Sequence, residues 1–339
     1  MTSDINILAR VYRGEAVEAV HYGAIAVVDG DGKLTHYVGD PHQPFMTRSS
    51  IKPFQIMPLL VSGAADHYGF TQRQLAIMCG SHTGSDDHYE VVMSNLRLAG
   101  NEPEDLQCGC HWPLGMMIDK KYPLDGEDKD PVRHNCSGKH SGFLALARFL
   151  DEAKEEYLNP NSQVQRMVKQ ILSDFCEYPE DKMPVGIDGC SAPNYPLPLF
   201  NLALGFMKIA NLQSGGGVSA DILSRIRDAM TTYPEMVSGE KRFDFDLARS
   251  FPSRLICKVG AESIEIIGLS DPPLGITIKI HDGNQRALGA VCVSVLKQLG
   301  IIKNMKDYPL LAKHERPEIR NYRDTLTGHI SAEFELKEI

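Results

Sequence analysis

The stretch Thr47-Arg48-Ser49-Ser50-Ile51-Lys52-Pro53 lies where the chain leaves a strand-rich opening for a long helical middle, and its reading decides the fold. Ser49 and Lys52 stand three apart, a spacing that puts both side chains on one face of a helix. Pro53 supports a helix start, because its missing N–H falls among first-turn donors that have no intrahelical partner. Two readings follow. In one, Ser49 caps the helix, Lys52 points to water and Ser50 competes as the cap. In the other, the helix dipole favours negative charge developing on Ser49, and a desolvated Lys52 loses its proton and acts as base.

Upstream of this stretch, residues 5–11 and 24–28 read as strands, Asp29-Gly30-Asp31-Gly32 as a turn, and residues 34–38 as a third strand. Downstream, the chain from about 49 to 250 reads as mostly helical. Ser85-Asp86-Asp87 caps a helix reaching Leu98, and apolar residues recur at helical spacing over 142–157, 162–175, 197–209 and 219–230. Ser214-Gly215-Gly216-Gly217 reads as a flexible joint inside that region. Short β-branched runs return at 255–259, 263–268 and 275–280, followed by a helix over 284–299 and a last strand within 329–336. Strands at both ends with helices between them imply an α/β (α+β) architecture: one antiparallel sheet built from both chain ends, and a helical middle. The expected organisation is a single catalytic unit over 1–339, with a sheet part at about 1–48 and 252–339 and a helix-rich part at about 49–251. A ligand pocket is expected in the crevice between them.

Composition narrows the function classes. At 339 residues, with 42% hydrophobic and 23% charged, the chain is long enough for a well-buried core and unlike a disordered protein. A net charge of -9 repels phosphate backbones, which excludes nucleic acid as a partner. No apolar run approaches the roughly 20 residues that span a bilayer, and Met1–Asn6 does not open like a signal peptide. Eight cysteines scattered through such a chain favour reduced thiols over a disulfide framework and leave room for one metal site. A cytoplasmic protein is expected.

Three more constellations carry chemistry. Cys257-Lys258-Val259-Gly260 places a lysine on the first strand after the helical middle, with a glycine that lets a substrate backbone come close. Taken with the earlier S-x-x-K and the strand–helix–strand layout, this K-x-G points to the serine β-lactamase and penicillin-binding fold. The S-x-N or Y-x-N motif usual between them is absent, which counts against β-lactam chemistry. Cys79-Gly80-Ser81-His82 crowds small residues between two helices, either as a plain turn or as backbone laid beside a ligand. His134-Asn135-Cys136-Ser137-Gly138-Lys139-His140 and Asp188-Gly189-Cys190-Ser191-Ala192-Pro193 read as two small-residue, cysteine-bearing loops. By spacing alone, Cys108-Gly109-Cys110-His111 is the better zinc seed, since Cys and His are the ordinary ligands.

Taken in order, R-S-S-I-K-P at 48–53, C-G-S-H at 79–82, H-N-C-S-G-K-H at 134–140, D-G-C-S-A-P at 188–193 and C-K-V-G at 257–260 resemble the rhizobial-type L-asparaginases over nearly the whole chain. The resemblance implies a homodimer with a β-lactamase-like fold that hydrolyses L-asparagine. It also implies two serine–lysine tandems, Ser49 with Lys52 and Ser81 with Lys258, and a zinc ion held by Cys136, Lys139, Cys190 and water. Asp188 would lie close by, and Arg48 would partner a charge near the site. On that reading Cys108 and Cys110 drop out, and Lys139 binds as the neutral amine. Two rival readings remain: a β-lactamase-like or glutaminase-like serine hydrolase, and a zinc-dependent binding protein without turnover.

Overall fold

The computed structural model describes residues 6–339, so the readings made on Met1–Ile5 lie outside it. The chain divides into two compact units, residues 1–45, 197–211 and 246–339 in one, and residues 46–196 and 212–245 in the other.

The first unit is a sheet with helices on it. Its strands are β1 (Ile7–Arg13), β2 (Ala16–Asp29), β3 (Leu34–Val38), β4 (Leu255–Gly260), β5 (Ile264–Ser270), β6 (Pro273–Ile280), β7 (Glu318–Arg320), β8 (Leu326–Ala332) and β9 (Lys337–Glu338). The order β7-β8-β1-β2-β6-β5-β4, with β3 on β2 and β9 on β3, joins both chain ends in one sheet. Each pairing is antiparallel, as in Ile25 opposite Ile278 and Lys258 opposite Ile266. The expected antiparallel sheet from both ends, with helices between, is what the structure shows.

The reading of β2 was too short. Its opening, Ala16–Ala19, carries exposed or half-exposed side chains that lack a strand's apolar signature, and pairing with β1 makes it a strand. A second difference concerns the Leu199–Ala210 helix, expected in the helical middle but lying on β2, β5 and β6. Two glycines require this close packing. Gly275 and Gly268 face each other across β6 and β5, and a Cβ on either would meet the helix backbone, at 1.9 Å from Ala203 O and 2.5 Å from Phe206 O. Ten of that helix's twelve residues are buried, as expected of a helix that is apolar all round.

The second unit is helical. Gln72–Met78 starts with a capping box between Thr71 and Gln74, and Asp86–Leu98 with one between Ser85 and His88. At its centre runs Ser137–Phe149, every residue of which is buried from Ser137 to Ala147. The sequence placed 134–142 in a loop and began the helix at Gly142. Instead the small residues are its contact face: a Cβ on Gly138 would lie 2.4 Å from Ile77 O, and one on Gly142 3.1 Å from Met78 Sδ. The helix ends at Phe149 rather than near 157, because Asp151 takes a left-handed φ of 54°. Gln163–Cys176 and Ala220–Thr232 follow, both capped by serines. Among the described residues no helix is long and apolar enough to cross a membrane.

Candidate active site

Ser49 sits in a single tight turn, Arg48–Ile51, directly before the Lys52–Gln55 helix turn. It does not cap anything: the hydroxyl is half-buried and makes no hydrogen bond among the described residues. Ser50 is the locally bonded serine, donating to Thr47 O at 2.6 Å. The turn is strained where it begins, with Arg48 at φ 51°, a conformation costly for a side chain of this size. Asn194 holds it there. Its Oδ1 accepts from Arg48 N at 2.9 Å and from Thr47 Oγ1 at 3.1 Å, and its Nδ2 donates to Arg48 O at 3.0 Å. Asn194 closes a small hairpin in which Gly186–Ile187 pairs with Pro193–Asn194. At the hairpin tip Asp188 accepts from Arg48 Nε at 2.7 Å, and Ser191 takes a φ of 67° to complete the turn.

Lys52 does not point to water. It is wholly buried, and its Nζ donates to Ser81 Oγ at 3.0 Å, to Asn135 O at 3.1 Å and to Gly80 O. Burial outweighs the nearby thiols and lowers its pKa, so the neutral amine is within reach. Ser81 is buried too, and its backbone is fixed by Ser81 N donating to Val237 O at 2.7 Å and Arg242 Nη1 to Ser81 O at 2.6 Å. Gly80 must be glycine here, since a Cβ would lie 2.6 Å from Met236 O. The lysine expected beside Ser49 is therefore hydrogen-bonded to Ser81. Lys258 belongs to the sheet unit, where it is wholly buried on β4 and donates to Val259 O at 2.6 Å.

The cysteine cluster adjoins Lys52. Cys136 caps the central helix, Lys139 follows within its first turn, and Cys190 stands on the hairpin tip. Lys139 Nζ donates to Cys190 Sγ at 3.1 Å, and all three side chains are buried. The proton of the thiol pair is unequally shared. Donation from Cys136 draws the Cys190 pKa down, and the same bond, with burial, pushes Cys136 well above the usual thiol range. Burial works against the Lys139 ammonium, but the charges of Cys190, Cys136 and Asp188 overcome it and raise its pKa. These directions favour the charged form of Lys139, the protonated form of Cys136, and negative charge drawn toward Cys190.

Two sulfurs and an amine, buried together, are a soft donor set of the kind zinc takes, once Cys136 and Lys139 give up their protons. Among the described residues no three His, Cys, Asp or Glu side chains are grouped to hold a metal. On the reading that the resemblance implies, a metal at Cys136 and Cys190 would take Lys139 as its third protein ligand. The spacing-based seed gains nothing: Cys108 is buried and raised to about 12, first by burial, while Cys110 is exposed and His111 is bonded to Asn135 and Trp112. Sequence reasoning missed Asn194 and Asn135. Asn194 sits just past the D-G-C-S-A-P block, and its only signal was that proximity.

Residues 9–332 match the model of a family described as L-asparaginase II, so the match spans nearly the whole chain. The protein belongs to the L-asparaginase II family, as the motif blocks implied. No curated protein matches. Among solved structures, one titled Mglu in its native form is similar at 14% identity and a TM-score of 0.47, over 82% of this chain and 64% of that one. A β-lactamase from Mycobacterium bovis is similar at 13% and 0.43, over 81% and 94%. A putative β-lactamase from Bacteroides dorei is similar at 11% and 0.40, over 81% and 93%. The chain thus spans less than two thirds of the first of these, and at such scores the likenesses carry no argument about the reaction.

Proposed function

We propose that the enzyme hydrolyses L-asparagine to L-aspartate and ammonia through an acyl-enzyme on Ser49. The observation that carries this is Lys52: a buried lysine of lowered pKa whose amine touches a serine hydroxyl and whose backbone follows a second, unbonded serine. Ser49 attacks the side-chain amide carbon, its proton passes to neutral Lys52, and the C–N bond breaks as ammonia takes a proton. Water then attacks the ester, gives its proton to the same base and releases aspartate. Ser81, already bonded to Lys52 Nζ, relays protons in both halves. Half-exposure makes Ser49 the reachable hydroxyl, whereas Ser81 is only 4% exposed.

The Lys52–Ser81 bond itself favours a second reading, with Ser81 as the nucleophile. Acid-quenching the enzyme during turnover, digesting it and mapping peptide masses separates the two. An aspartyl adduct is expected on the peptide bearing Ser49. An adduct on the peptide bearing Ser81 reverses the assignment, and hydrolysis of a chromogenic β-lactam without ammonia release from asparagine defeats the asparaginase reading altogether. Lys258 is the second lysine of the proposed chemistry, and its charge-removing variant Lys258→Met tests it. A zinc ion held by Cys136, Lys139 and Cys190 would supply a fixed positive charge that binds and positions substrate. A cytoplasmic homodimer belongs to the same proposal, and sedimentation equilibrium tests the assembly.

A further inference from the structure

Arg242 is a cation beside Ser81 that the proposed chemistry leaves unused, and it belongs to the same helical unit. The chain leading to it packs along the Gly80–Thr83 stretch. Ser81 N donates to Val237 O at 2.7 Å, and a Cβ on Gly239 would lie 2.5 Å from Thr83 Oγ1. Lys241 then takes a left-handed φ of 66° and pairs with Asp119 at 2.8 Å, and the turn delivers Arg242 Nη1 to Ser81 O at 2.6 Å. The hydroxyl of the same Ser81 accepts from Lys52 Nζ at 3.0 Å, so one residue holds both the guanidinium and the buried lysine. L-Asparagine carries an α-carboxylate, which leaves water cheaply only when a cation with open donors receives it. Arg48 is engaged by Asp188 at 2.7 Å, Lys139 by Cys190 at 3.1 Å, and Lys52 by carbonyls and a hydroxyl. Arg242 keeps 17% of its side chain exposed, and Asp244 Oδ1 stands 3.6 Å from its Nε, too far for a hydrogen bond. Its remaining N–H groups are unbonded among the described residues.

We propose that Arg242 receives the substrate's α-carboxylate and so makes the site selective for amides of α-amino acids over simple amides. A planar guanidinium meets a carboxylate through paired, parallel N–H···O bonds. Nη1 carries a second N–H besides the one given to Ser81 O, and Nη2 supplies the other arm of the fork. Asp244, buried at 4% exposure, offsets the guanidinium charge while no substrate is bound. Because Arg242 is fixed on the residue whose hydroxyl meets Lys52, a carboxylate held there registers the side-chain amide against that pair. The selectivity rests on the asparaginase reading for the identity of the substrate, whereas carboxylate binding at Arg242 does not.

Kinetics with L-asparagine and with 3-aminopropanamide, which is asparagine without its α-carboxylate, test it. The unmodified enzyme is expected to favour asparagine in kcat/KM by about 100-fold or more. Arg242→Gln should lower kcat/KM for asparagine by about 100-fold, mostly through KM, and change that for 3-aminopropanamide by less than about threefold. A purely structural clasp on Ser81 would lower both substrates alike. That result, or a preference that survives in the folded variant, overturns the proposal. Arg242→Lys keeps a charge and a donor for Ser81 O without the fork; it should lose about tenfold on asparagine alone, and it serves if the glutamine variant does not fold. Calorimetric titration with the two products, L-aspartate and 3-aminopropanoate, separates this proposal from the asparaginase reading. Aspartate binding that weakens about 100-fold in Arg242→Gln, without ammonia release from asparagine, defeats the asparaginase reading and keeps the role of Arg242. Ammonia release with binding and preference indifferent to Arg242 does the reverse.

Discussion

Ser49-x-x-Lys52 and Cys136-x-x-Lys139 are the same local pattern: a potential nucleophile, then a lysine three residues on, at the start of a helical segment. Both lysines are buried to 1% exposure or less. Their chemistry is opposite. Lys52 meets two carbonyls and a hydroxyl, and burial lowers its pKa. Lys139 meets the same burial, but the charges of Cys190, Cys136 and Asp188 raise it. What burial does to a lysine therefore depends on whether a counter-charge is buried with it. One lysine is pushed toward the neutral amine that the proposed chemistry needs, the other toward the ammonium in the metal-free protein.

The comparison breaks first at activity. Lys52→Met should lower kcat by about 10²–10⁴-fold, the range for losing a general base, while circular dichroism shows the fold retained; near-normal ammonia release would remove Lys52 from the chemistry. In the parent enzyme, kcat/KM should rise with pH, with a midpoint below the 10.5 of a free lysine. The sign follows from the depressed pKa, since the reactive neutral amine accumulates as pH climbs through it. By linkage, Lys52 subtracts stability at low pH, and that loss is recovered as pH rises toward the unfolded value. A rate falling steadily from pH 6 to 9 in folded protein would contradict a lysine base.

Stability should separate the two lysines the other way. Lys139→Met strands the Cys190 charge and is expected to cost about 3–5 kcal/mol, as for one partner removed from a buried pair. Lys52→Met strands only neutral acceptors, at about 1–3 kcal/mol. Urea unfolding of both variants measures the difference, and equal losses would mean that no thiolate–ammonium pair exists. Asn194→Ala should cost about 1–3 kcal/mol, through unmade bonds to the Arg48 backbone. It should also lower kcat more than it raises KM, because the strained turn before Ser49 relaxes. A variant that loses stability with unchanged kinetics would show that the turn does not position Ser49. The smallest effect is expected from Cys110→Ser, an exposed thiol: within about 0.5 kcal/mol in stability, and no change in bound zinc. A lost zinc equivalent would return the site to Cys108, Cys110 and His111.

The sequence by itself determined the sheet from both chain ends, because strand runs and turn residues are local signals, and it named the motif blocks by which the family is known. The family resemblance grouped Cys190 with Lys139 and gave Arg48 an unnamed charge as partner; the structure bonds Lys139 to Cys190 and supplies Asp188 as the charge for Arg48. It misjudged the Ser137–Gly142 segment and the Leu199–Ala210 helix, since glycine spacing says that something comes close but not what. Only the tertiary structure decided that Lys52 leans on Ser81, that Asn194 clamps Arg48, and that Tyr157 meets the His140 ring. Those contacts join residues 29 to 146 positions apart or, for Tyr157, cross from a loop to a helix 17 residues earlier. The charge of each lysine is decided in the same way: sequence gives a side chain its ordinary pKa, but desolvation and counter-charge exist only after the chain has folded around it.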